Sequence, residues 1–155
     1  MTPAINVAKK ANITHRIHEY SHDPNCESYG LEAVEKLGLE ASRVFKTLVV
    51  SLDNKELVVA IVPVLSKLSM KLIAKSLDAK KAAMAAQNDV ERATGYVLGG
   101  VSPLGQKKRL KTIVDASAKE SETIYVSAGR RGLEIELSPL DLANLSNAKF
   151  SLISQ

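Results

Sequence analysis

Phe45-Lys46-Thr47-Leu48-Val49-Val50-Ser51-Leu52-Asp53 is followed, after Asn54, by Lys55-Glu56-Leu57-Val58-Val59-Ala60-Ile61-Val62-Pro63. Both runs are dense in Val, Leu and Ile, side chains that fit a pleated, buried surface. Asp53-Asn54 between them is a turn pair, so the stretch reads as a β-hairpin. Upstream, Thr2-Pro3 pairs an N-cap with a first-turn proline and opens a helix to about Ala11. His15–Tyr20 reads as a strand, and a helix over Gly30–Leu37 stops at Gly38. Downstream, Ser69 caps a helix through about Leu77, and Asn88–Thr94 forms another that ends at Gly95. Strands are expected near Lys111–Asp115, Thr123–Val126 and Leu133–Leu137. Ser138-Pro139 opens a last helix to about Leu145, and Ala148–Leu152 closes as a strand. Strands and short helices alternate without a βαβ rhythm, and no repeat or linker interrupts them. The expectation is an α+β fold: a curved, mostly antiparallel mixed sheet, barrel-like, surrounded by short helices, in one domain over residues 1–155.

Composition narrows the function classes. Aromatic residues are only 4% and Trp is absent, so the core is aliphatic and a stacking platform for single-stranded bases is poorly provided for. Net charge is +4, which permits a nucleic-acid partner without requiring one. From Arg92 to Val114 there are five cations and no acid. Cys26 is the only cysteine, which fits a reducing compartment. The start Met1-Thr2-Pro3-Ala4-Ile5 lacks a signal-peptide pattern, and Leu57–Leu65 falls far short of the roughly 20 residues that span a bilayer. A cytoplasmic protein without membrane contact is expected.

The candidate chemistry starts at Gly99-Gly100-Val101-Ser102-Pro103-Leu104-Gly105, run into Gln106-Lys107-Lys108-Arg109-Leu110-Lys111. Glycine lets backbone approach a ligand, and the following cations supply a field for an anion; the alternative is a turn and a solvated charge run. Lys46 falls by alternation on the face of Leu48, Val50 and Leu52, either as a desolvated, directed charge or as a strand-end lysine that snorkels to water. His15, His18, His22 and Cys26 invite a metal reading, but a strand points His15 and His18 to opposite faces, which favours surface histidines. Ser102 and Ser127 lie beside glycines, as ligand contacts or as turn residues. Arg130-Arg131 sits in a link between two strands and offers phosphate contacts. Glu134 and Glu136 share the face opposite Leu133, Ile135 and Leu137, which is either solvated or lines a polar cleft. No Gly-x-Ser-x-Gly elbow and no nucleophile–His–acid set stands out.

Over nearly its full length the chain resembles the YbaK-type Cys-tRNA(Pro) deacylases of the prolyl-tRNA synthetase editing-domain family. The likeness rests on Met1–Ala4, His22-Asp23-Pro24, VEKLGL at 34–39 and Val44-Phe45-Lys46-Thr47-Leu48. It continues through TGYVLGGVSPLGQKKRL at 94–110, Ile124–Ser127 and RGLEIEL at 131–137. The resemblance implies a cofactor-free trans-editing hydrolase that cleaves Cys-tRNA(Pro), and also Cys-tRNA(Cys) if its tRNA range is wide. Prolyl-tRNA synthetase would join it in a transient ternary complex. Small side chains are poorly discriminated by one pocket, so a second site clears the error. Lys46 matches the family's essential lysine. Gly99, Gly100, Ser102 and Pro103 fall in its Gly-x-x-x-Pro loop. Tyr20, Ser127 and Glu134 match pocket positions, with Glu134 standing where relatives often carry Asp, and Tyr29 stands where Phe is familiar. Lys107, Lys108, Arg109, Lys111, Arg130 and Arg131 are the candidates for tRNA-backbone contact. The family mechanism is substrate-assisted: the substrate's own thiol attacks its ester. The competing readings are a non-catalytic tRNA-end binder on the same fold and a metal-dependent hydrolase.

Overall fold

A computed structural model describes residues 1–26 and 28–155. Eight strands and five α-helices follow the order α1 (Pro3–Lys10), β1 (His15–Glu19), α2 (Tyr29–Leu37), β2 (Phe45–Leu52), β3 (Glu56–Pro63), α3 (Met70–Ser76), β4 (Ala82–Met84), α4 (Gln87–Thr94), β5 (Lys111–Asp115), β6 (Ile124–Arg130), β7 (Leu133–Leu137), α5 (Pro139–Ser146) and β8 (Lys149–Ser151). The caps fall where the sequence places them. The Thr2, Ser69 and Ser138 side chains accept from the first turns of α1, α3 and α5. Gly38 and Gly95 end α2 and α4 in the left-handed region.

The α+β class holds, but the strands form two sheets rather than one, and neither closes into a barrel. The five-stranded sheet runs β4-β2-β3-β5-β8 and the three-stranded sheet β1-β7-β6. Most pairings are antiparallel; β3–β5 and β5–β8 are parallel. A single parallel bridge, Val44 to Tyr125, joins the sheets.

The larger sheet is buried on both faces, which explains why β3 reads as an unbroken aliphatic run. One face carries Phe45, Val49, Val59, Ile61 and Val114 against Val126, Ile135 and Leu137 of the smaller sheet, with α1 inserting Ala4, Ile5 and Ala8. The other carries Val50, Val58, Ala60, Val62 and Ile113 under Ile73 of α3 and Ile153. β6 extends past its expected end at Val126 to Arg130, because a bulge between Ser127 and Arg130 lets it stay paired with β7. Gly129, at φ +112°, supplies the backbone freedom this needs.

One register detail positions the site. β3 pairs with β2 along its whole length, whereas β4 pairs only with Val50–Leu52. The second edge of β2 is therefore without a ladder partner from Phe45 to Leu48.

Candidate active site

A cavity of about 330 Å³ opens along that free edge. Because the strand is unpaired there, residues from both of its faces reach the cavity: Phe45, Thr47 and Val49 from one, Lys46 and Leu48 from the other. Ser127 and Glu134 face them from β6 and β7, and Tyr20, Tyr29 and Gly99 close the remaining sides.

The lining is mostly apolar, which sharpens the few polar groups in it. Burial lowers the Lys46 pKa below its ordinary 10.5, and among the described residues no carboxylate pairs with its ammonium. Of the two readings of Lys46, the desolvated charge is the one the geometry supports. Glu134 is 8% exposed, and burial alone pushes its carboxyl up to about 8. Its backbone sits opposite Ser127 on one side and His18 on the other. Tyr20 is pushed up to about 12, first by burial and then by the neighbouring Glu134 charge. Its hydroxyl keeps its proton at neutral pH.

The Glu134–Glu136 face is thus a polar cleft rather than a solvated face. Glu136 meets His18 Nε2 at 2.9 Å, Arg43 Nη2 at 3.3 Å and the Thr123 hydroxyl at 2.6 Å. Glu134 has no such company among the described residues and lines the cavity.

Thr47 is the polar residue that sequence reading missed. Its Oγ1 is buried, lines the cavity and has no hydrogen-bond partner among the described residues. Buried polar atoms are nearly always paired, so an orphan in a cavity wall points to an absent partner. The available signal was a hydroxyl on the Phe45–Val49 face of an otherwise apolar strand.

The glycine loop contributes differently from expectation. Gly99 lines the cavity at φ +87°. A Cβ there would stand 2.6 Å from the Tyr29 ring and 2.8 Å from Arg131 Nε. Gly100, Ser102 and Pro103 are buried inside the loop and are not among the cavity walls. A Cβ on Gly100 would lie 2.9 Å from Arg130 Cα, and Ser102 Oγ accepts from the Leu104 amide. These three shape the loop rather than touch the cavity. Tyr96 holds it from behind, its hydroxyl donating to Leu104 O at 2.6 Å.

The cations scatter. Arg130 pairs with Glu19 at 2.6 Å. Arg131 donates to Leu98 O through Nε and Nη2, at 3.1 and 2.6 Å, and stacks 4.7 Å from the Tyr29 centroid. Both arginines brace the cavity rim, a role the sequence reading did not assign them. Lys107, Lys108, Arg109 and Lys111 are exposed and line none of the cavity. Lys111 pairs with Glu56 at 3.4 Å.

The histidines separate as the strand reading requires. His15 meets Ile13 O and His18 meets Glu136. His22 and Cys26 instead converge with Glu32, their ligand-type atoms within 4.8 Å of one another. Burial pushes the Glu32 carboxyl upward, yet the Asp23 amide, His22 and Lys36 together hold it down at about 2. Lys36 Nζ lies 3.2 Å from Glu32 Oε2, so this cluster has the charge balance of an ion pair, and the ammonium would repel a cation. The Cys26 thiol pKa is raised, by desolvation first and by the Glu32 charge next; that disfavours a thiolate nucleophile.

The family model for the aminoacyl-tRNA editing domain matches residues 23–145. The chain is 36% identical over 154 residues to EbsC of Enterococcus faecalis, covering 99% of this chain and 93% of that protein, which is described as a proposed Cys-tRNA(Pro)/Cys-tRNA(Cys) deacylase. It is 29% identical over 118 residues to the uncharacterized YwhH of Bacillus subtilis, covering 76% of this chain and 74% of that one. Two solved structures share the fold. The hypothetical protein APE2540 superposes with a TM-score of 0.87 at 22% identity, covering 99% of this chain and 100% of that one. A protein described as a proposed trans-editing enzyme for prolyl-tRNA synthetase superposes at 0.84 and 19% identity, covering 100% and 99%. The matched span contains the free edge of β2, the glycine loop and Glu134, and on that span the chain belongs to the aminoacyl-tRNA editing domain family.

Proposed function

We propose that this protein is a trans-acting deacylase that clears cysteine from mischarged tRNA(Pro). The observation that carries this reading is the cavity itself. It offers one unpaired ammonium, one unpaired carboxyl and one orphan hydroxyl in apolar walls. Among the described residues its walls hold no cysteine or histidine, and the Ser127 hydroxyl in them accepts from the Gly129 amide and meets no base. Such a site can orient an ester and stabilise charge, yet it lacks an activated nucleophile. A substrate that brings its own nucleophile suits it.

In the proposed reaction the cysteinyl thiol attacks its own ester carbonyl. A carbon–sulfur bond forms, the carbon–oxygen bond to the terminal ribose breaks, and the thiol proton passes to the departing ribose oxygen. The thiolactone leaves and is hydrolysed by water. Lys46 faces the charge that builds on the carbonyl oxygen, the Glu134 carboxyl hydrogen-bonds the α-amino group, and Thr47 bonds a polar atom of the aminoacyl-ribose end. Gly99 admits the ribose by lacking a side chain. Specificity follows from the chemistry, since alanyl and prolyl esters carry no thiol. The relation to EbsC supports the substrate class. We further place residues 1–155 in one editing domain, because α1 lies outside the matched span yet inserts Ala4, Ile5 and Ala8 into the shared core. Prolyl-tRNA synthetase is the proposed partner in a transient complex.

The test is a deacylation panel of Cys-, Ala- and Pro-tRNA(Pro), with and without the synthetase. Release of cysteine alone supports the reading. Tight tRNA binding without release of any amino acid overturns it in favour of a tRNA-end binder.

A further inference from the structure

A second concave surface lies at the far end of β4. Met84 and Ala85 line the candidate cavity, while Ala82, at the other end of that strand, lines a groove between α3 and residues 78–82. Four lysines border this groove: Lys71 and Lys75 on α3, and Lys80 and Lys81 just before β4. All four are exposed, and among the described residues none forms an ion pair. Among the described residues Asp78 is the only acid in the lining.

The arrangement is held in place. The Asp53 carboxylate accepts the backbone amides of Lys80 and Lys81, with Oδ1 at 3.1 and 2.9 Å, and the Asp53 amide donates to Lys81 O at 2.8 Å. The hairpin turn thereby fixes the backbone of the Lys80–Lys81 pair while leaving both ammonium groups free. Lys71 and Lys75 stand one helical turn apart, on one face, about 6 Å from each other. A row of free cations on a concave, pinned surface fits a polyanion with regularly spaced charge. Along β4 only Ala83 stands between the two linings, a spacing of about 7 Å.

We propose that this lysine groove is a binding site for the phosphate backbone of the RNA whose 3′ end enters the cavity, a role that rests on the deacylase reading above. The groove, not the Lys107–Lys111 stretch, is the main contact with the double-stranded stem behind that end. An A-form stem is read through its phosphates and 2′-hydroxyls rather than its bases, which matches lysine, a point charge without base-reading geometry.

The experiment compares the parent with a K71A/K75A/K80A/K81A variant. Binding of uncharged tRNA(Pro) is measured from about 50 to 300 mM salt. Each lost phosphate contact flattens the log–log salt slope by about 0.7 to 0.9. The variant is expected to bind at least about tenfold more weakly near 100 mM salt, with a slope flatter by about 3. Cleavage of the cysteinyl ester of adenosine, which has no stem, is expected to match the parent. Unchanged tRNA affinity and slope would overturn the groove. Unchanged tRNA binding with lost attachment to phosphatidylglycerol vesicles would reassign it to a lipid surface and equally overturn the proposal. If the parent cleaves neither the adenosine ester nor Cys-tRNA(Pro), the deacylase reading fails instead, and the binding comparison still decides the groove.

Discussion

Glu134→Gln should make the protein more resistant to alkaline pH. In the folded chain burial lifts the Glu134 carboxyl from an ordinary 4.5 to about 8. Between those values the folded state holds a proton that the unfolded state releases. Stability associated with this group is therefore full below about pH 4.5 and is lost as pH rises toward 8. At about 1.4 kcal/mol per pH unit the loss is about 5 kcal/mol for a dry carboxyl, and closer to 3 kcal/mol once water enters through the cavity mouth. Glutamine keeps the shape and does not titrate. Urea unfolding of both chains, at about pH 5, 7 and 9, isolates the effect, because Glu32, Asp115 and Glu136 are common to both and cancel in the difference. Part of the loss has already occurred by pH 5, so the variant should gain about 2 to 4 kcal/mol on the parent between the ends of that range. A constant offset, from the amide's own hydrogen bonding, does not alter the slope. A stability difference that stays flat with pH would refute the claim that Glu134 is buried without a partner.

Lys46→Ala should fold normally and lose roughly 10²-fold or more in deacylation, the scale of one preorganised electrostatic contact. Lys46→Arg should recover only part of it, as single-turnover rates would show. Thr47→Val replaces an orphan hydroxyl with a methyl, so it should stabilise the fold by about 1 kcal/mol while weakening activity; a loss of stability in urea unfolding would show that the hydroxyl already has a partner. Gly100→Val should lower the melting temperature sharply, because the new Cβ would press on the Arg130 backbone. If the variant melts like the parent but fails to bind substrate, the loop meets ligand at Gly100 after all.

Local features of the fold were legible in the sequence, and long-range ones were not. Thr2, Ser69, Gly38 and Gly95 mark helix ends by their own chemistry, and the hairpin declares itself through two aliphatic runs about a turn. Nothing in His15–Glu19 names Leu133–Leu137 as its partner, so the division into two sheets could not be read. β4 escaped notice because Ala82-Ala83-Met84 lacks the β-branched residues that signal a strand; its pairing with Val50–Leu52 is imposed from outside. The same holds for the site. Lys46 and Glu134 carry visible alternation, but whether a polar face is solvated or closed depends on what packs over it. The Arg130-Arg131 pair reads as phosphate-binding until Glu19 and Leu98 O are seen to occupy it.

The placement of β1 has a consequence for synthesis. It is an edge strand whose hydrogen-bonding partner is β7, with Glu19 opposite Leu133. Ribosomes add about 5 to 20 residues per second, so the nascent β1 waits on the order of ten seconds before β7 exists. Throughout that interval its backbone is an open template for any passing strand. Its composition, His15-Arg16-Ile17-His18-Glu19, places charged or titratable side chains at every position but one, which keeps it soluble while it waits. The Tyr20 wall of the cavity hangs from this strand, so the site cannot assemble until β7 has left the ribosome.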